Sequence, residues 1–114
     1  MPDAADGTVL DRLFAVIERR RGADAGSSYT ARLLAEGRPT IARKVGEEAV
    51  EVVVASLAAE AGHPDRLAEE SADLLYHLLV LWADAGIPPE AVWRVLAERE
   101  GTSGLAEKAA RSQR

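Results

Sequence analysis

The sequence predicts an all-α protein, a bundle of about five helices in which two long helices form an antiparallel pair. Glycine and proline divide the 114 residues into segments, with breaks at 22–28, 37–39, 62–64, 86–89 and 101–104. Within these segments the apolar residues recur with helical spacing and do not alternate as they do in strands. The short Gly-His-Pro turn at 62–64 joins the two longest segments, which favours antiparallel packing.

The first two helices are predicted from their starts and their apolar spacing. The first is expected over 9–20, opened by Thr8 with Asp11 in a weak capping box. A short second helix over 29–35 follows two serines at 27–28, which are suited to capping it. The apolar face expected for the first helix is formed by Leu10, Leu13, Phe14 and Ile17.

The third and fourth helices, expected over 40–61 and 64–85, are the long pair. A fifth is expected over 89–99, and the chain from 107 to 114 reads as a short helix or a frayed tail. Proline stands where the fourth and fifth helices begin, and glycine where helices end. The buried side expected for the fifth helix carries Val92, Trp93 and Leu96.

Composition narrows the class of protein. A 47% hydrophobic share in 114 residues predicts one globular domain over 1–114, with 1–8 and 105–114 as flexible ends. The net charge of −5 disfavours a module that binds nucleic acid by neutralising its phosphates. The absence of cysteine excludes disulfides, thiolate metal sites and cysteine nucleophiles, so any metal must bind oxygen or imidazole.

The chain shows neither a secretory signal at its start nor an apolar run of about 18 residues that would span a membrane. We therefore expect a soluble, cytoplasmic protein without a membrane partner. The apolar residues of the two long segments cover most of each helix's circumference, more than a small bundle can bury alone. This surplus predicts a homodimer in which the long helices pack across the subunit interface.

Acidic residues at helical spacing form the main candidate site. Glu47, Glu48 and Glu51 lie within about 100° of one another on the third helix, and Glu70 and Asp73 share a face of the fourth. Antiparallel packing would set the Glu48 and Glu51 pair opposite the Glu70 and Asp73 pair. Four carboxylates from two helices suit Mg²⁺, which keeps water ligands and accepts phosphate oxygens, and Mn²⁺ suits the same ligands.

A solvated acidic face is the alternative interpretation of the same residues, and acidic residues at helical spacing usually form one. Two observations favour the metal site. Like charges three and four residues apart repel, and Lys44 compensates only part of that repulsion. Both stripes are also bordered by valine, leucine and alanine. For His77, one turn beyond Asp73, contact with a phosphate or base and a satisfied core position both fit.

The acidic residues also carry a family resemblance. Lys-Val-Gly-Glu-Glu-Ala-Val-Glu at 44–51, followed after eighteen residues by Glu-Ser-Ala-Asp at 70–73, resembles the two-part motif of the all-α, MazG-like nucleoside triphosphate pyrophosphohydrolases. Segments 28–34, 72–78 and 103–108 resemble, within that superfamily, the phosphoribosyl-ATP pyrophosphatase family of histidine biosynthesis. The resemblance extends over about residues 10–111.

This resemblance implies a Mg²⁺-dependent homodimer that converts phosphoribosyl-ATP to phosphoribosyl-AMP and pyrophosphate. By motif position Glu47 would be an outer acid or the base that activates water. Lys44, Arg43 and Lys108 would meet phosphate oxygens. The metal ligands implied are Glu48, Glu51, Glu70 and Asp73.

Two other functions stay open at this point. A house-cleaning pyrophosphohydrolase would use the same metal site on nonstandard nucleotides and would differ in its base pocket. A non-catalytic helical dimerisation module would leave the acidic residues solvated. No Walker-type glycine loop is present in the sequence. Without cysteine and without a plausible Ser/His/Asp set, nucleophilic covalent catalysis lacks support.

Overall fold

The computed structural model describes residues 4–102 and 104–112, except for the side chain of Glu107, and within them it contains helices and no strands. The all-α prediction is confirmed. The helices are α1 (Val9–Arg19), α2 (Tyr29–Glu36), α3 (Arg38–Glu60), α4 (Pro64–Ala85), α5 (Pro89–Arg99) and α6 (Gly104–Ser112). In the segment predicted as a short helix or frayed tail, residues 107–112 are helical, in a helix that begins at Gly104, and 113–114 lie outside the described residues.

The two predicted starts near the N-terminus have different outcomes. Ser28 caps α2, because its side-chain oxygen accepts a hydrogen bond from the Ala31 amide at 3.1 Å. The capping box expected at α1 is wrong: Thr8 makes no side-chain cap and bonds to Asp6 instead. Asp11 accepts a hydrogen bond from the Trp93 indole at 3.1 Å, which links α1 to α5.

The long third helix starts two residues earlier than predicted. It begins at Arg38 with Pro39 in its first turn, where a missing N–H costs nothing. Gly37 between α2 and α3 has a φ of 93°, a conformation that favours glycine and lets the two helices follow each other directly. Gly86 ends α4 in the left-handed conformation, as the glycine pattern predicted.

The core lies where α1, α2 and α3 converge on α4, and α3 and α4 share the most extensive helix contact. Burying each large aliphatic side chain contributes about 1.5–3 kcal/mol. An ion pair of 2.6 Å between Arg38 and Asp84 ties the start of α3 to the end of α4. The fully or nearly fully buried cluster consists of Ile17, Leu33, Ile41, Leu79, Val80 and Ala83.

The fifth helix buries less than expected. Val92 and Trp93 are half-buried, and the Trp93 ring packs edge-on against Trp82 with centroids 5.9 Å apart. The burial predicted for Leu96 is wrong for this chain alone, since Leu96 is 51% exposed. It lies beyond the turn of α5 that touches α1 and α4.

One side of α3 is apolar and uncovered, and we call it the valine face: Val50, Val53, Val54 and Leu57, which are 49–64% exposed. At about 100° per residue it lies on the side of α3 roughly opposite Glu48. The surplus apolar surface that the sequence predicted is therefore present. Among the described residues, no helix is both long and apolar enough to cross a membrane.

Candidate active site

Three of the predicted carboxylates meet between α3 and α4, and we call them the carboxylate triad: Glu48, Glu70 and Asp73. Each offers an oxygen that lies within 4.8 Å of the other two. The packing of α3 against α4 creates this meeting, because it brings Glu48 on one helix beside Glu70 and Asp73 on the next. Glu48 and Glu70 are half-buried, and Asp73 is exposed.

The pKa of Glu70 shows how the charges of the triad act on one another. Desolvation is the largest cause that raises the pKa of Glu70, followed by the negative charges of Asp73, Glu51 and Glu48. Arg66 is the cation that lowers the pKa of Glu70, and its effect is smaller than that of desolvation or of any of the three acidic neighbours. The carboxylates are therefore incompletely compensated by the protein, and a bound cation would relieve their repulsion.

The other two acidic residues of the motif lie beside the triad. Glu51 is exposed and is not one of the three whose oxygens converge, although its charge acts on Glu70. Glu47 turns away toward cations: its carboxylate lies 3.3 Å from the Lys44 ammonium and 3.6 Å from Arg43 Nε. The structure thus groups the five acids as three convergent, one adjacent and one held by basic neighbours.

Lys44 lies at the border of the triad. Its ammonium is 3.9 Å from a Glu48 oxygen in addition to its contact with Glu47. The hydrogen bond to Glu47 and, second, the Tyr29 phenol raise the pKa of Lys44. Lys44 therefore stays cationic at neutral pH and acts as a fixed positive charge. Arg43 is 70% exposed, and within the described part of the chain its one ion pair is with Glu47.

His77 is buried, and both of its ring nitrogens have partners. Nδ1 lies 2.7 Å from the Asp73 carbonyl, and Nε2 lies 3.0 Å from the Tyr29 hydroxyl. A carbonyl only accepts, so Nδ1 carries the proton, and in the neutral ring the Tyr29 hydroxyl donates to Nε2. Of the two roles considered for His77, the structure displays the satisfied core position, in contact with a residue of the triad.

The contacts of Tyr29 and Tyr76 were not predicted. The two rings stack with centroids 6.3 Å apart, and the Tyr76 hydroxyl bonds to Thr30 on α2. Burial raises the pKa of the Tyr76 hydroxyl. These contacts hold the start of α2 against the middle of α4. The segment at 28–34 had supplied part of the family resemblance, and that was the one available signal that α2 contributes to the site.

A cleft of about 250 Å³ lies between α2 and α3, next to Lys44. We call it the basic cleft, because three of its side chains are cationic and one is acidic. Arg32 was not predicted as a site residue; its guanidinium lies 5.4 Å from the centre of the Tyr29 ring, a cation–π contact. The cleft is lined by Tyr29, Arg32, Leu33, Glu36, Thr40, Arg43 and Lys44.

Lys108 is not brought to this region in the part of the chain that the structure describes. It is exposed on α6, and among the described residues α6 makes no extensive contact with α3 or α4. Its proposed contact with phosphate has no geometric support in the single chain.

The triad fits a small divalent cation. Ligands on opposite sides of Mg²⁺ are about 4.2 Å apart, so oxygens within 4.8 Å of one another need only a small adjustment to share one ion. The donor set is entirely carboxylate, which suits Mg²⁺ and Mn²⁺. Desolvation and, after it, the charges of Asp73, Glu51 and Glu48 raise the pKa of Glu70, as expected where negative charges crowd.

A helical chain that joins an acidic cluster on two antiparallel helices to a basic cleft has the features of the all-α nucleoside triphosphate pyrophosphohydrolases. The comparison with family models is more specific: residues 10–100 match the model described as phosphoribosyl-ATP pyrophosphohydrolase. This match covers well over half of the chain. The chain therefore belongs to the phosphoribosyl-ATP pyrophosphohydrolase family, and the resemblance found in its sequence is confirmed.

Curated relatives agree with the family. A protein of Azospirillum brasilense is 58% identical over 109 residues, which is 96% of each chain. A protein of Parvibaculum lavamentivorans is 58% identical over 111 residues, covering 97% of this chain and 99% of the relative. A protein of a Caulobacter species, strain K31, is 60% identical over 104 residues, 90% of this chain and 92% of the relative. All three are named phosphoribosyl-ATP pyrophosphatase.

Proposed function

We propose that this chain hydrolyses the α,β phosphoanhydride of phosphoribosyl-ATP, the second step of histidine biosynthesis, with Mg²⁺ or Mn²⁺ held by the carboxylate triad. The observation that carries the proposal is the convergence of three carboxylate oxygens from α3 and α4 within 4.8 Å. Membership of the family, whose relatives are named for this pyrophosphatase activity, supports the choice of substrate. The cytoplasmic location expected from the sequence stays a prediction.

The proposed ligands are Glu48, Glu70 and Asp73, with Glu51 completing the outer side of the site. Bound there, a divalent cation would neutralise phosphate oxygens and assist the attack of water on the α phosphorus. Glu48 is the best-positioned ligand, because its side chain is only 15% exposed and is directed between the helices. Glu51 is exposed and acts on Glu70 through its charge, so we assign it a supporting position.

Lys44 and Glu47 complete the proposed machinery. Lys44 remains cationic beside Glu48, and we assign it contact with a phosphate oxygen as negative charge builds up. Glu47 is exposed and is held by Lys44 and Arg43, and we assign its carboxylate the role of accepting the proton of the attacking water. His77 positions Asp73 through the main chain and is left without a free nitrogen for substrate.

The valine face supports the proposal of a homodimer. Four aliphatic side chains 49–64% exposed on one side of a helix are costly to leave in water, and a second copy offers an identical apolar face. Mass measurement of the intact chain in solution should give twice the 12.2 kDa of one chain. Val53→Asp should yield the single-chain mass, whereas the exposed substitution Glu69→Gln should not change it.

The decisive assay measures pyrophosphate released from phosphoribosyl-ATP with and without Mg²⁺. We expect release only with the metal, and a loss on the order of 100-fold in Asp73→Asn. Glu69→Gln is the matched control, because Glu69 is exposed beside Glu70 and outside the triad. Near-normal turnover by Asp73→Asn in a folded protein would end the assignment of the metal site.

The same assay tests the house-cleaning alternative. Turnover of phosphoribosyl-ATP should exceed that of dUTP, dCTP and oxidised dGTP. A preference for any of these nucleotides would assign the triad to the broader pyrophosphohydrolase activity. Calorimetric titration with Mn²⁺ and a nonhydrolysable triphosphate addresses the non-catalytic module, since a module without a site would take up neither.

A further inference from the structure

The basic cleft is a second charged region beside the triad, and its size limits what it can bind. At about 250 Å³ it is smaller than the roughly 300–1,000 Å³ that is usual for sites that enclose a whole small molecule. It therefore suits one group of a substrate whose remainder lies elsewhere. Three cations against one carboxylate make that group an anion.

Arg32 is the cation of the cleft that is left available for a ligand. Arg43 and Lys44 both contact Glu47. Arg32 has no carboxylate within ion-pair distance among the described residues, and its guanidinium rests against the Tyr29 ring. A stacked guanidinium keeps its planar set of N–H donors, which matches the oxygens of a phosphate. Tyr29 and Thr40 add two uncharged residues to the same lining.

Two contacts join the cleft to the triad. Lys44 lines the cleft and reaches Glu48 at 3.9 Å. Tyr29 lines the cleft and meets His77, which in turn bonds to the Asp73 main chain. Thr40 and Glu48 are eight residues apart on α3, so the cleft extends to about 12 Å from the triad along the helix. A single extended ligand can thus occupy both regions.

We infer that the basic cleft binds the phosphate monoester on the second ribose of the substrate, with Arg32 as the residue that recognises it. This inference rests on the proposed function, because phosphoribosyl-ATP carries two separate anionic ends. The triphosphate end belongs at the carboxylate triad with its cation. The other end needs cations away from those carboxylates, and Arg32 on a different helix supplies one. Arg32 is accordingly a specificity residue that distinguishes phosphoribosyl-ATP from an ordinary triphosphate.

The test compares Arg32→Gln with wild type in steady-state hydrolysis of phosphoribosyl-ATP, using ribose 5-phosphate and pyrophosphate as competing inhibitors. Loss of a charged hydrogen bond raises the dissociation constant of the ligand by about tenfold or more. We expect that increase in KM and in the inhibition constant of ribose 5-phosphate. The values of kcat and of pyrophosphate inhibition should stay within about twofold. Arg94→Gln, an exposed arginine on α5, is the matched control.

Arg32→Lys should recover part of the affinity, because it restores the charge without the planar donor set. An unchanged KM in Arg32→Gln, or an equal loss for ribose 5-phosphate and pyrophosphate, would overturn the inference. Binding of ribose 5-phosphate to the metal-free wild-type chain, followed by NMR titration, separates the two proposals. Shifts at Arg32 and Thr40 in a protein that fails to hydrolyse phosphoribosyl-ATP would retain the cleft and reject the function. The absence of any such shift would reject the cleft alone.

Discussion

The carboxylate triad and the basic cleft lie side by side, but the protein balances their charges differently. In the triad, three acids meet with only the Lys44 ammonium close by among the described residues, 3.9 Å from Glu48, and the pKa of Glu70 is raised by desolvation and by its acidic neighbours. In the cleft, two of the three cations are already paired with Glu47, and the third stacks on Tyr29. The negative charge of the triad is therefore less completely neutralised by neighbouring side chains than the positive charge of the cleft.

This difference in charge balance predicts different effects of ligand binding in the two regions. A cation at the triad would remove a repulsion that the folded chain carries by itself, so binding there should also stabilise the fold. A phosphate in the cleft would meet one available guanidinium, so its effect should be on affinity and selectivity. Lys44 contacts acids of the motif and lines the cleft, and it connects the two regions.

The largest effect should separate the acids of the triad from the acid beside it. Glu48→Gln removes a half-buried convergent oxygen and should lower kcat/KM on the order of 100-fold. Glu51→Gln removes an exposed neighbour and should cost nearer 10-fold, as outer groups of metal sites do. Steady-state pyrophosphate release measures both. Equal losses would show that Glu51 moves in to bind the cation directly.

The sequence alone was enough to locate the acidic site between the two long helices, because helical periodicity and one short turn determine its position. Glu70 and Asp73 share a face by spacing, and the turn at 62–63 sets Glu48 opposite them. What periodicity did not resolve is which acids converge. Glu47 and Glu51 belong to the same stripe, but Lys44 and Arg43 hold Glu47, and Glu51 stays exposed.

Lys44 tests whether the two regions act as one site. Lys44→Gln removes a cation 3.9 Å from Glu48 and also a wall of the cleft, so both kcat and KM should worsen, together by about 10- to 100-fold. Lys108→Gln is a suitable control, because in the single chain Lys108 lies on α6 away from both regions. A loss in Lys108→Gln as large as that in Lys44→Gln would bring α6 into the site, as the motif had implied.

The basic cleft could not be predicted from the sequence, and the reason is physical. Its walls are α2 and α3, and their relation depends on the contacts of Tyr29 with His77 and of Thr30 with Tyr76, each joining residues more than forty positions apart. Helical spacing carries no information about such pairs. Arg32 therefore looked like an ordinary charged residue on a short helix, although its segment contributed to the family resemblance.

The tyrosine contacts give an effect of intermediate size. Tyr29→Phe leaves Nε2 of the buried His77 without its partner and should lower the free energy of unfolding by about 1–3 kcal/mol in urea titrations. It should also raise KM, because Tyr29 lines the cleft. Tyr76→Phe is the matched comparison, because it also removes one phenol hydroxyl, here the one that is hydrogen-bonded to Thr30. It should lower the free energy of unfolding with a smaller change in KM. Identical kinetic changes would mean that both rings act only by fixing α2.

The smallest expected effect is a change in the thermal stability of the metal-free chain, and its direction follows from the pKa of Glu70. Because the folded state raises the pKa of Glu70, its ionisation at neutral pH is less favourable in the folded chain than in the unfolded one. Glu70→Gln should thus raise Tm at neutral pH when divalent cations are chelated. The difference from wild type should shrink as pH falls toward about 4, where the unfolded carboxyl also takes up its proton. Mg²⁺ should reverse the order by stabilising wild type more than the variant. A lower Tm for Glu70→Gln in the absence of cations would show that the triad is already balanced without a ligand.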